Sequence, residues 1–127
     1  MHPNGELIRR GYEAFAKGDM DTIAGLFGDD ITWHGEGASV LSGDYVGKAA
    51  VFGTFAKLQE VTEGTFRQEI HAILADDDHV VVLTNYSHEK PKQYSGQQVF
   101  VWHVRDDKAV ECWAIPVDQA AASAALV

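Results

Sequence analysis

Apolar residues recur at helical spacing through the first half of the chain and at alternate positions through the second. In residues 4–30, "NGELIRRGYEAFAKGDMDTIAGLFGDD", Leu7, Ile8, Tyr12 and Phe15 form one helical face. Gly18 is suited to end that helix, and Asp19 to cap the next. Ile23, Leu26 and Phe27 then make a second apolar face, closed by Gly28 and two acids. "ITWH" predicts a short strand, and the glycines and serines of "GEGASVLSGDYVG" predict a loop. "KAAVFGTFAKLQEVTE" predicts a third helix that buries Val51, Phe52, Phe55 and Leu58.

The remainder reads as β-structure. "GTFRQEIHAILADDD" alternates and ends in an acidic turn, and "HVVVLTNYSHEK" follows it. "QYSGQQVFVWHVRDD" and "KAVECWAIPVD" are two further strands, joined by a tight turn near Asp107 and Lys108. "QAAASAALV" is an alanine-rich tail, either one helical turn or without fixed structure. Helices first and a meander afterwards predict an α+β fold over residues 1–127, three helices lying on one face of a curved antiparallel sheet.

"VFVWHV" and "HVVVL" are nearly continuous in apolar residues, although a strand with one wet face should alternate. Both faces must then be covered. The helices cover one, so a second copy of the chain is expected on the other, as a homodimer; the chain's own tail is the alternative.

Composition narrows the function. The chain has 127 residues, enough for one core, and 46 % of them are hydrophobic, which excludes disorder. A formal net charge of −9 sets the protein against phosphate, so neither nucleic acid nor an anionic membrane is an expected partner. Cys112 is the single cysteine, so no internal disulfide forms, and in an apolar strand it reads as a buried thiol. "MHPNGELIRR" carries no signal-like apolar run, and no segment reaches the roughly 18 apolar residues of a membrane span, so a cytoplasmic protein is expected.

Several segments resemble the SnoaL-like branch of the nuclear transport factor 2-like superfamily, which also holds ketosteroid isomerases, limonene epoxide hydrolases and polyketide cyclases. They are "YEAFAKGDMDTIAGLFGDDITWHGEG", "LSGDYVGKAAVFGTFAKL", "GTFRQEIHAILADDDHVVVL" and "VFVWHVRDDKAVECWAIPVDQ", spanning about residues 7–120. The resemblance implies a cone: a bent sheet wrapped around helices, dimeric through its outer face, with a pocket at the wide end for a small, largely apolar molecule. A fold of this kind hosts many reactions, so the site must decide among them.

Aligned on the shared "GD" and "DD", the resemblance puts His34 where ketosteroid isomerases keep their base. It puts Gly11 at their oxyanion tyrosine, with Tyr12 one place on, and Phe100 or Val101 at their second oxyanion acid. Two of three parts are absent, which argues against steroid isomerisation. The Asp–Arg–Asp set of the epoxide hydrolases is not matched either, since Ile115 falls on a catalytic position and Arg105 near a turn. Polyketide cyclases are the nearer analogy, with His103 and Asp118 close to their histidine and aspartate. A one-residue slip leaves open whether His103 or Trp102 looks into the pocket.

The expected catalytic residues are therefore His34 as base, with Asp118 or His103 assisting. The alternatives are a backbone-bonded His34 and an Asp118 that caps the tail helix. Tyr12, Trp33, Tyr45, Trp102 and Trp113 are expected around the substrate, with Tyr12 donating to a carbonyl oxygen and Tyr86 a further rim candidate. His71, His79 and His88 read as surface residues. No histidine pair has zinc spacing, "GDYVGKAA" lacks a phosphate-loop pattern and "ADDDH" lacks calcium-ligand spacing, so no metal or cofactor is expected. The expected function is proton-transfer chemistry on a small apolar or aromatic carbonyl metabolite: cyclisation, isomerisation or dehydration. Its alternative is a non-catalytic binding protein for a small hydrophobic ligand.

Overall fold

The computed structural model describes residues 1–127. The elements in chain order are α1 (Pro3–Lys17), α2 (Met20–Leu26), β1 (Phe27–Gly35), β2 (Gly43–Val46) and α3 (Lys48–Val61). They continue with β3 (Arg67–Ala75), β4 (His79–His88), β5 (Tyr94–Arg105), β6 (Lys108–Pro116) and α4 (Gln119–Ala124). The six strands form one curved sheet in the order β2-β1-β6-β5-β4-β3, with helices on its inner face: the α+β cone that the resemblance implies.

Local chemistry sets the helix ends. The His2 ring accepts from the Asn4 amide at 3.0 Å, Pro3 opens α1, and Gly18 ends it at φ 72°. The Asp19 carboxylate accepts from the Thr22 amide at 3.1 Å and caps α2. Leu7, Ile8, Ile23 and Val51 are buried from the helices against Ile31, Val80, Val82, Phe100 and Trp102 from the sheet.

Three details differ from the sequence-based expectation. Phe27 is extended, at φ −91° and ψ 141°, so β1 starts there and carries Gly28, Asp29 and Asp30 within it. The segment expected as loop contains β2, a four-residue edge strand on β1. The tail takes the helical one of its two expected states, as α4. The sheet is also not wholly antiparallel, because β1 and β6 pair in parallel. Hairpin logic applies to consecutive strands, and β1 and β6 are joined only through the rest of the fold. The turn at Asp106 and Asp107 is the expected tight hairpin, with φ of 52° and 60°.

Strand alternation fixes what faces inward. On β4, Val80, Val82, Thr84 and His88 are buried, while Val81 and Leu83 on the opposite face are half-buried. On β5, Phe100, Trp102 and Val104 point in, so Val99, Val101 and His103 point out.

Candidate functional site

A cavity of about 160 Å³ lies between the helices and the inner face of the sheet. Helix α1 contributes Tyr12 and Phe15, α3 contributes Thr54, Phe55 and Leu58, and the sheet contributes Trp33, Phe100 and Trp102. Fifteen of the twenty-six residues around it are hydrophobic, and none is Lys or Arg, so the wall suits a neutral apolar body rather than an anion. Glu36, Ser39 and Ser42 border it from the β1–β2 loop, and Ala122, Ser123 and Leu126 from the C-terminal segment.

The aromatic wall is a connected set. Trp33 meets Phe55 edge-on at 5.2 Å between centroids and Trp102 at 5.7 Å. Trp102 donates its indole N–H to the Tyr12 hydroxyl oxygen at 3.2 Å. Burial, with Cys112 nearby, pushes the Tyr12 phenol well above its ordinary value, so it stays a neutral donor. Its oxygen accepts from Trp102, which leaves its own proton free to meet a ligand. Cys112 is fully buried and its thiol is pushed up in the same way, which makes it an inert core residue.

At the β3–β4 end the wall becomes polar, with Gln68, Tyr86 and His88. Burial, followed by the neighbouring Tyr94, raises the Tyr86 phenol to about 12. His88 is 1 % exposed, and neither ring nitrogen has a hydrogen-bond partner in the protein. The Nε2 of Gln68 is likewise buried and unpartnered. His88 therefore corrects the expectation of a surface histidine. The signal was present in the sequence, because counting by twos from Val80 through Val82, Thr84 and Tyr86 reaches it.

The expected site residues divide between two faces. Tyr12, Trp33 and Trp102 meet at the cavity. His34 does not, because it follows Trp33 on β1 and so points to the outer face. There its Nδ1 lies 2.7 Å from Asp44 Oδ1 and its Nε2 lies 2.7 Å from Glu111 Oε2, while its ring stacks on Trp113 at 5.0 Å. The Glu111 hydrogen bond raises the His34 titration above its usual range; desolvation opposes this and Asp44 adds to it. His103 is on the same outer face, 3.4 Å from Glu111 Oε1 and edge-on to Trp113. Asp118 caps α4, its Oδ1 accepting from the Ala121 amide at 3.0 Å. Tyr45 is partly buried beside the loop, its hydroxyl within reach of the Leu41 and Ser42 carbonyls. The expected convergence of His34, His103 and Asp118 on one hollow is thus corrected by strand alternation and by a helix cap. Among His, Cys, Asp and Glu side chains, no group of three is placed to hold a metal ion.

The family profile described as "SnoaL-like domain" matches residues 8–112. Bal32a, from a soil-derived mobile gene cassette, is 29 % identical, with 98 % of this chain and 97 % of that one covered and a TM-score of 0.93. TerC, co-crystallized with polyporic acid, is 24 % identical over 98 % of each chain, with a TM-score of 0.86. An NTF2-like protein from Burkholderia xenovorans LB400 is 20 % identical over 100 % of this chain and 98 % of its own, with a TM-score of 0.83. At those lower identities the likeness is one of fold. No curated protein matches the chain. No helix is long and apolar enough to cross a membrane.

Proposed function

We propose that this chain, which belongs to the SnoaL-like domain family, takes a small, largely apolar carbonyl metabolite into its cavity and moves a proton on it, in an isomerisation, cyclisation or dehydration. The observation that carries this reading is the aromatic cavity in which the Tyr12 hydroxyl, fixed by Trp102, keeps a free proton. A developing enolate oxygen needs such a preorganised donor in a site shielded from water. Trp33, Phe55 and Trp102 would hold the flat apolar part of the substrate. Proton transfer consumes no electrons, so side chains alone suffice for it. The acid–base group belongs to the cavity wall rather than to positions 34, 103 or 118, whose side chains lie elsewhere.

The outer face supports the dimer. Val101 pairs across the sheet with Val81 and Trp113, and Val99 with Leu83 and Ile115, so six half-buried apolar side chains form one patch. A second copy of the chain packed there would cover it.

A thermal-shift screen of single-ring aromatic and enone compounds, followed by turnover assays on those that bind, tests the reading. Ligands that fit should raise the melting temperature of the wild type, and Ala114→Leu, which fills the wall, should weaken them. Binding with turnover supports the enzyme; binding without turnover identifies the non-catalytic alternative. No stabilisation by any fitting compound, or equal binding by Ala114→Leu, rejects the cavity as the site.

A further inference from the structure

We propose that Gln68 and His88 form a hydrogen-bonding subsite at one end of the cavity for a neutral ligand oxygen that both accepts and donates, the hydroxyl of a phenol or enol on a single-ring skeleton. This rests on the cavity being the ligand site.

The two side chains are neighbours by register. Gln68 pairs with Tyr86 across β3 and β4, and His88 is two residues further along the same face of β4. Such diagonal positions are about 7–8 Å apart, within reach of long side chains. The imidazole packs in a cluster with two tyrosine rings: Tyr86 lies 6.5 Å away at 28° and Tyr94 5.9 Å away at 35°. Its nitrogens carry no protein partner, nor does Gln68 Nε2, and both residues border the cavity. Buried polar atoms in native proteins are almost always paired. Three nitrogens without a protein partner, on two neighbouring side chains at one end of one cavity, point to a polar group of the ligand there.

The donor and acceptor inventory defines that group. A neutral imidazole offers one N–H and one lone pair, and the glutamine amide offers N–H donors. A hydroxyl oxygen can accept from Gln68 Nε2 while its proton goes to the lone pair of His88. A ketone or an ether has no proton to give and leaves the lone pair of His88 unpaired, and a methyl group pairs with neither side chain. A carboxylate would bring a charge into a wall without Lys or Arg. The volume, about 160 Å³, is close to that of an apolar cavity that accepts one benzene ring, about 150 Å³.

Phenol and toluene, alike in shape but not in hydrogen bonding, test this by calorimetric titration of wild type, His88→Phe and Gln68→Leu. Each substitution should weaken phenol roughly three- to ten-fold, the value of one hydrogen bond, and leave toluene within about two-fold. In the wild type, phenol should also shift the His88 imidazole nitrogen resonances, and toluene should not. An unchanged ratio of phenol to toluene affinity in both variants overturns the subsite while the cavity reading stands. Failure of the wild type to bind either compound overturns both. If His88→Phe does not fold, Gln68→Leu and the wild-type imidazole shifts decide alone.

Discussion

His34 Nε2 lies 2.7 Å from Glu111 Oε2 across the parallel seam of β1 and β6, and this contact belongs to the outer face of the sheet. Together with Asp44 it favours the imidazolium, so the His34 titration is raised in the folded protein above its usual 6.5. The sign of the linkage follows. The stabilisation is fully present below about pH 6.5 and is lost as pH rises through the raised midpoint. Glu111→Gln should cost about 0.5–1 kcal/mol under mildly acidic conditions, as expected of a partly exposed pair, and much less in alkaline solution. It should also lower the His34 midpoint followed by NMR. Urea unfolding at the two pH values checks the first point, and an equal loss at both would contradict it.

Tyr12 and Trp102 supply a second prediction. Tyr12→Phe keeps the ring but leaves the Trp102 indole N–H without its acceptor, a loss of about 1–3 kcal/mol for a buried donor. Trp102→Phe on top of Tyr12→Phe should then cost less than the sum of the two single changes, because the orphaned donor is gone. Denaturant unfolding of the three variants gives the coupling. Strict additivity would show that the hydrogen bond contributes nothing.

Much of this was written in the sequence. Leu7, Ile8, Tyr12 and Phe15 gave α1 its inward stripe, and the apolar runs of β4 and β5 supplied both the buried inner face of the sheet and its half-buried apolar outer face. The site was less legible. Trp33 and His34 are adjacent, so only one can face inward, and Ile31 on the inner face, fully buried, already assigns that place to Trp33. Positional likeness to a catalytic base drew attention to His34, although alternation opposed it. The parallel β1–β6 pairing could not be read locally, since it joins segments nearly eighty residues apart. The strand β2 was masked by Gly43 and Ser42, which read as loop, and by the shortness of an edge strand.

The outer patch gives a third prediction. Val101 sits between Val81 and Trp113 at the centre of the half-buried apolar face. If a second copy covers it, Val101→Lys buries a charge without a partner and should convert a dimer to a monomer with the fold intact. Sedimentation equilibrium over a range of concentrations, with circular dichroism as the control, checks this. A wild type that is monomeric throughout would leave the patch to some other cover.

The last prediction concerns α4, which rests on β6 and brings Ala122, Ser123 and, just past its end, Leu126 to the cavity. Three contacts tether the segment. Asp118 Oδ1 accepts from the Ala121 amide, Ser123 Oγ accepts from the Ala38 amide at 3.3 Å, and Lys92 donates to the Ala124 carbonyl at 3.2 Å. Six residues are too few for a helix to hold itself, so the cap and these tethers decide whether it stays formed. Asp118→Ala should cost about 1 kcal/mol, the value of an N-cap, confined to this segment. Amide exchange over residues 121–125 should accelerate about five-fold, while the protection of β4 and β5 stays unchanged. Ligand release from the cavity should quicken with it, since three of its wall residues would spend more time detached. A fall in global stability with no local change in exchange would instead make Asp118 part of the core assembly, and α4 no cover for the cavity.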